Sequence, residues 1–464
     1  MADIEVRQEA EIVRDKEDQP VRRRLVLTAA LLGFFMISLD ATAVNVALPA
    51  IGRSLTGSTS GLQWVVDGYT VPFAALLISA GAVSDRLGAR RVFGWGLVVF
   101  AGASAGCGAA PGLPVLIAAR VVQGGAAAAM LPSSLALVRQ AFAEPAARAR
   151  AVAVWSAGGA AAIAAGPVLG GILTSTAGWR AIFFVNLPVG AAVLALLTLR
   201  APRSPRLAAP LDPAGQVTAA LGLAALTFGV ITGGSGGFAR PSVLLAFVVA
   251  AFAGGCFLVV ESRVARPMVP LALFRSAAVV TCMVTGFSIN IAFYGVAFVL
   301  SLYFQRVLGE PAITAGLLFL PMTGLLTVAN LISVRVAARW GHHVPVRAGL
   351  CVGTLGMLLL AVLPALPHGR IGMEIALVPA GAGLGFALPS LTFLLLDSLP
   401  AAAAGLAGGL FNAGRQTGGA LAVAAFGALV SGSFMAGMRV SMLISAALLL
   451  FSTVAVFAVF RRRA

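Results

Sequence analysis

The sequence predicts an all-α polytopic membrane protein, and three observations predict it. Apolar residues make up 59% of the 464 and charged residues only 10%, and mean hydropathy is +0.99. Ordinary soluble domains do not have that composition. The apolar residues fall into fourteen long runs, roughly 25–51, 62–83, 92–110, 114–138, 150–176, 181–199, 213–233, 241–261, 276–305, 312–334, 346–366, 371–396, 403–432 and 438–460. Each is long enough to cross a bilayer as a helix, whereas outer-membrane barrels use short alternating strands. Basic residues cluster between the runs and alternate in density from one connection to the next.

That alternation sets the orientation. With residue 1 in the cytoplasm, 24 Lys and Arg fall on the inner side, six on the outer side (Arg53, Arg180, Arg240, Arg306, Arg370, Arg439) and two, Arg120 and Arg415, inside spans. The bias predicts both termini cytoplasmic in a cell membrane. The net charge of +16 is therefore read as topological, and nucleic-acid binding is set aside. Residues 1–24 hold seven of the sixteen acidic residues and are expected to form a disordered cytoplasmic tail. Cys107, Cys256, Cys282 and Cys351 lie in apolar segments without metal-like spacing and read as buried small hydrophobes.

The longer polar connections, 200–212 and 262–275, bracket the seventh and eighth spans. The expected organisation is a first six-helix bundle over 25–200, a linker carrying two extra transmembrane helices over 201–273, and a second six-helix bundle with a short basic tail over 274–464. The two bundles resemble each other. GGAAAAMLPSSLAL at 124–137 matches GAGLGFALPSLTFL at 381–394, Gly166–Gly171 matches Gly414–Gly419, and Ser84–Gly88 matches Ala337–Gly341. Each pair is eight spans apart with the same orientation, which predicts a parallel, pseudo-symmetric repeat with a site between its halves.

Intramembrane charge is sparse. Asp40, Asp67 and Arg120 sit in spans one, two and four at comparable depth. A carboxylate there is costly and marks a proton or substrate path, and a neighbouring arginine tunes its proton affinity. The competing reading is a buried ion pair that fixes helix register. Arg120 retains its proton and acts as a fixed cation; Gln123 lies one turn away on the same face. In the loop GAVSDRLGARR, Gly81, Asp85, Arg86, Gly88, Arg90 and Arg91 form a candidate gate, with Asp85 placed to meet the positive end of a neighbouring helix. Gly166, Pro167, Gly170 and Gly171 in span five permit close helix approach and a bend.

In the second half Arg415 is the one strong deep charge. It has three open readings: an anionic substrate group, backbone carbonyls, or a carboxylate across the cavity. Asn45, Trp64, Tyr69, Gln123, Tyr294, Phe298, Asn412 and Arg415 are the candidate cavity residues, with plain packing as the alternative for each aromatic side chain. His342, His343 and His368 lie in loops or at span edges, and no phosphate-binding Gly-Lys-Ser/Thr signature occurs, which argues against an ATP-driven pump or an enzyme.

The motifs GAVSDRLGARR, RVVQGGAAA and AGPVLGGIL resemble the signatures of the major facilitator superfamily. LDATAVNVALP together with fourteen spans resembles its fourteen-helix drug:proton antiporters. WVVDGY at 64–69, FVNLPVG at 184–190, LPMT at 320–323 and NAGRQ at 412–416 bring the match closer to antibiotic exporters of the methylenomycin A resistance type. The resemblance implies a 6+2+6 major facilitator fold. It also implies proton-driven export of a drug or similar small amphipathic compound by alternating access, in a monomer using no cofactor beyond the proton gradient. On this analogy Asp40 and Asp67 serve protonation or cation recognition, Arg120 serves the coupling, Asp85 and its arginines gate, and Gly166-Pro167 closes helices together. The second half lacks a mid-span acid of the kind carried by some cation exporters. A metabolite transporter on the same fold and a non-transporting membrane sensor are the rival expectations.

Overall fold

A computed structural model describes residues 2–200, 212–265, 267–365, 369–399 and 404–460. Much of the 200–212 connection (Arg203 and Arg206 included), Arg266, His368 and the basic end Arg461–Arg463 lie outside the described residues. Helices follow one another almost without interruption: α1 (Ala2–Ser54), α2 (Thr59–Leu87), α3 (Ala89–Gly108), α4 (Leu113–Ala141), α5 (Pro145–Ala177), α6 (Ala181–Phe184), α7 (Asn186–Arg200), α8 (Pro213–Gly236), α9 (Pro241–Arg263), α10 (Ala277–Asn290), α11 (Val296–Leu302), α12 (Ala312–Leu318), α13 (Leu320–Trp340), α14 (His343–Val362), α15 (Gly369–Asp397), α16 (Ala404–Gly432) and α17 (Phe434–Phe460).

Among the described residues thirteen helical stretches are long and apolar enough to cross a membrane. The fourteenth crossing is α16, whose apolar character is diluted by Asn412, Arg415, Gln416, Thr417 and several glycines. α6 and α7 share one crossing, as do α12 and α13, and α10 and α11 join through a π-helical turn at Ile291–Gly295. An even number of crossings puts the start of the first span and the end of α17 on one side, called here the terminal face.

Where composition predicts a disordered tail, α1 begins at Ala2 and continues through the charged stretch into the membrane span Val21–Ser54. The stretch has no glycine before Gly33 and is rich in Glu, Arg, Ala and Gln, all strong helix formers.

α1, α2, α3, α4, α5 and α7 pack as the first bundle, and α10 to α17 as the second. The repeat inferred from sequence shows in the backbone. Gly88 ends α2 with φ +93° and Gly341 ends α13 with φ +82°, both in the left-handed region that favours glycine. Pro132 and Pro389 likewise sit within α4 and α15. The α8–α9 hairpin lies beside the seam, packing on α2 of one bundle and α16 of the other. Gln216 Nε2 donates to Ala75 O at 2.9 Å, and Ser431 Oγ donates to Gly234 O at 2.9 Å.

The bundles meet at the face remote from the termini. Gln63 Nε2 on α2 donates to Val423 O and Ala424 O on α16 at 3.2 and 2.7 Å. Gln305 Nε2 donates to Val46 O at 2.8 Å, and the Ile313 amide donates to Ser175 Oγ at 3.1 Å. Gly171 and Gly316 let α5 and α12 touch backbone to backbone: a Cβ on Gly171 would lie 2.5 Å from Ala312 O. The contact runs down to Thr323, which donates to Ala164 O at 3.3 Å. Nearer the terminal face, Gly408, Gly409 and Gly414 of α16 have open space where a side chain would be. The described hydrogen bonds between the two bundles gather toward the far face.

Candidate functional site

Asp40 is held directly by side chains from two other helices, α4 and α7. Its Oδ2 pairs with Arg120 Nη1, and both side chains are 1% exposed. Its Oδ1 accepts from Gln123 Nε2 at 2.9 Å and from Asn186 Nδ2 at 3.1 Å. Arg120 Nε donates to Val65 O at 3.0 Å, and Nη1 also reaches Gln123 Oε1 at 2.9 Å. Ser104 Oγ accepts from Gln123 Nε2 at 2.8 Å and Asn186 Nδ2 at 3.2 Å. The guanidinium lies 4.3 Å over the Tyr69 ring, and Tyr69 OH donates to Ile37 O at 3.2 Å. α1, α2, α3, α4 and α7 all contribute. A buried charge is tolerable when paired and fully hydrogen-bonded, and this one is both.

Asp67 stands apart from that network. It is fully buried, its Oδ1 accepts from Thr70 Oγ1 at 3.1 Å, and its Oδ2 has no partner. It lies one helical turn from Gln63, on the side of α2 that meets α16. The expected three-residue cluster of Asp40, Asp67 and Arg120 therefore divides into a neutral pair inside the first bundle and a lone carboxyl at the seam. The physical reason is rotation around α2: similar depth does not imply a shared face.

In the second bundle, Arg415 Nε donates to Asn290 Oδ1 at 3.1 Å and Nη1 to Asn412 Oδ1 at 3.4 Å. Asn290 Nδ2 donates to Gln416 Oε1 at 3.4 Å. Asn290 stands directly before the π-helical turn, a feature that recurs at functional sites. Among the described residues the hydrogen-bond partners of this half-buried cation are amides, and the Phe411 ring lies 5.7 Å from its guanidinium. Thr42, Asn45 and Pro167 of the first bundle and Phe293, Phe319 and Met322 of the second line a void of about 10 Å³.

Several candidates have other roles. Tyr69 lies beneath Arg120 and not in the cavity. Phe298 is fully buried in the core. Trp64 packs on Phe228 of α8, ring centroids 6.3 Å apart. Tyr294 is buried against Phe293 and Gly419. Asn45 donates to Ala41 O and reaches the void with an unpartnered Oδ1.

In the candidate gate Asp85 is exposed and makes no hydrogen bond among the described residues; its charged neighbour is Arg139. Among the described residues no hydrogen bond makes the expected latch to a helix N-terminus. Arg90 Nη2 donates to Thr198 O at 3.1 Å. With Arg91 and Trp95 it lines a groove of about 450 Å³ between α3 and α7, on the outside of the bundle and away from the buried charges. Arg86 is exposed in the last turn of α2, and Gly81 lies beside Pro132. Gly166 and Gly170 let α5 lie on α1 at Thr42 and Ala43. Asn186, Ser104 and Asn290 are functional neighbours that the sequence reading passed over. Asn186 stands in the quoted FVNLPVG, and its polarity within an apolar run was the available signal.

Two pseudo-symmetric six-helix bundles of membrane-spanning helices, with a further hairpin beside their seam, are the architecture of a membrane transporter. Residues 30–423 match the model of the Major Facilitator Superfamily. The chain is 37% identical over 409 residues to the methylenomycin A resistance protein of Streptomyces coelicolor, covering 87% of this chain and 85% of that one. It is 35% identical over 409 residues to the tetracenomycin C resistance and export protein of Streptomyces glaucescens, covering 87% and 75%. Among solved structures, a D-xylose-proton symporter aligns with TM-score 0.67 at 14% identity, over 93% of this chain and 97% of that one. The human organic anion transporter MFSD10 aligns with TM-score 0.64 at 18% identity, over 94% and 99%. The chain belongs to the major facilitator superfamily.

Proposed function

We propose that the protein is a proton-coupled antiporter that exports a drug, antibiotic or similar small amphipathic compound across the cytoplasmic membrane, with both termini in the cytoplasm. The named relatives above support export of an antibiotic-like compound. The observation that carries proton coupling is the pairing of a sealed, neutral Asp40–Arg120 unit with a lone buried Asp67 at the moving seam. An unpaired carboxyl in a low-dielectric seam is accommodated by taking a proton. Rocking of α2 against α16 opens that seam to the far face, where Asp67 exchanges its proton. Return to the present state exposes the Arg415 side of the cavity to the cytoplasm. Arg120 and Gln123 hold Asp40 in place and tie α1 to α4, so the first bundle moves as a unit. The protein works as a monomer and needs no cofactor beyond the proton gradient. Arg415, Asn412 and Asn45 contact the substrate.

The test is uptake into everted vesicles energised with a pH gradient, using a panel of antibiotics. Substrate-dependent collapse of the gradient is expected, and Asp67→Asn is expected to abolish it while leaving the protein folded. Flux that persists without a proton gradient, or full exchange by Asp67→Asn, overturns the assignment.

A further inference from the structure

The base of the α8–α9 hairpin, at the terminal face, buries two carboxyl groups together. Asp212 caps α8, its Oδ1 accepting from the Gly215 amide at 2.8 Å. Glu261, near the end of α9, accepts through Oε2 from the Val269 amide at 3.0 Å, in the connection that leads to the second bundle. Each group uses one oxygen. The others, Asp212 Oδ2 and Glu261 Oε1, are buried without a hydrogen-bond partner, in residues 8% and 3% exposed. Both converge on the space that Gly215 leaves: a Cβ there would lie 2.5 Å from Asp212 Oδ2 and 2.8 Å from Glu261 Oε1.

Nothing described neutralises them. α8 has no other charged residue, and α9 adds only Arg263, which is exposed. The connection to α10 adds exposed Arg275, while Arg266 is outside the described residues. On the neighbouring α2, Asp85 and Arg86 are exposed at its terminal end, and on α16 Arg415 is held by Asn290 and Asn412. The charge that acts on Glu261 is that of Asp212. Two ionised carboxylates cannot share such a site unaccompanied.

We propose that Asp212 and Glu261 form a proton-binding site, one proton covalently bound to one of the two free oxygens and hydrogen-bonded to the other. That single proton gives both orphaned oxygens a partner and leaves the pair with one negative charge. The site joins the first turn of α8, the end of α9 and the 268–269 segment, and those pieces are anchored to α2 through Gln216–Ala75 and through Ser79 Oγ, 3.3 Å from Met268 Sδ. Loss of the proton sets two like charges against each other and loosens the hairpin from the first bundle. The proposal does not depend on the transport reading.

The test uses the full-length protein in lipid nanodiscs. Infrared difference spectra at neutral pH between wild type and Glu261→Gln are expected to show the carbonyl stretch of one protonated carboxyl, present only in the wild type. The Gln amide donates to Asp212 Oδ2 in the proton's place, so the wild type loses thermal stability as pH is raised and Glu261→Gln does not. Asp212→Asn reads the same band from the other partner should Glu261→Gln fail to assemble. The proposal is overturned if neither variant removes a protonated-carboxyl band. It is equally overturned if Mg²⁺ or Ca²⁺ stabilises the wild type and neither variant, which would make the pair an ionised metal site.

Discussion

Replacing Asp40 by Asn isolates the buried pair in the first bundle. Three donors converge on Asp40, namely Arg120 Nη1, Gln123 Nε2 and Asn186 Nδ2. An Asn side chain has the same shape but only one acceptor oxygen, and its amide hydrogens face a donor. Arg120, buried and hydrogen-bonded otherwise to Val65 O and Gln123 Oε1, is left as an uncompensated cation. Breaking a buried ion pair by removing one partner costs about 3–5 kcal/mol, roughly two to four orders of magnitude in the folding equilibrium. Arg120→Gln leaves the opposite charge alone and is expected to cost a similar amount. The double variant removes both charges and is expected to cost less than the sum by about 1–3 kcal/mol. The measurement is SDS-driven unfolding in mixed micelles followed by circular dichroism, with all four proteins at one pH. Additive single and double effects, or an Asp40→Asn protein as stable as wild type, would refute the claim that this pair holds the bundle together.

Three further outcomes are expected. Gly171→Val places side-chain atoms against the Ala312 carbonyl and keeps the far face from closing. A cysteine at Asn45, on a background cleared of native cysteines, then reacts with an impermeant thiol reagent added from that face, whereas without Gly171→Val it is protected. Arg415→Gln keeps the amide contacts but removes the cavity's cation. It leaves stability near wild type and, for a substrate bound through charge-assisted hydrogen bonds, raises KM about 10- to 100-fold; an unchanged KM places the substrate elsewhere. Glu144 caps α5, and the Ala146 and Ala147 amides hold its carboxyl below the ordinary range. A lowered value stabilises the fold above the unfolded-state value of about 4.3 and loses that effect as pH falls through the folded-state value. Acid unfolding of wild type is therefore expected to carry a component that Glu144→Gln lacks; identical acid limbs would show that the cap is irrelevant.

The architecture was largely legible in one dimension because membrane crossing is a local property. A run such as 241–261 must be a helix in lipid whatever it packs against, since its backbone has no water to bond. The repeat was legible for a related reason. Gly88 and Gly341 answer the same backbone demand, and that demand leaves a residue behind. α16 shows the limit of composition, since the polar residues that make it a cavity helix also make it the weakest span.

Within the site, the chemically exceptional groups stand out along the chain: Asp40, Asp67, Arg120 and Arg415 are charges where charge is expensive. Which of them meet is a property of the folded molecule. Depth along a helix follows from counting residues, but azimuth relative to a neighbour depends on how five helices pack. That packing turned Asp40 toward Arg120, Gln123 and Asn186 and turned Asp67 toward α16. It also moved Tyr69, Trp64 and Phe298 out of the cavity and brought Asn290, 125 residues from Arg415, into it. The same limit hid Asp212 and Glu261, which are ordinary span-end acids in the sequence and share one space only when α8 and α9 fold together over Gly215.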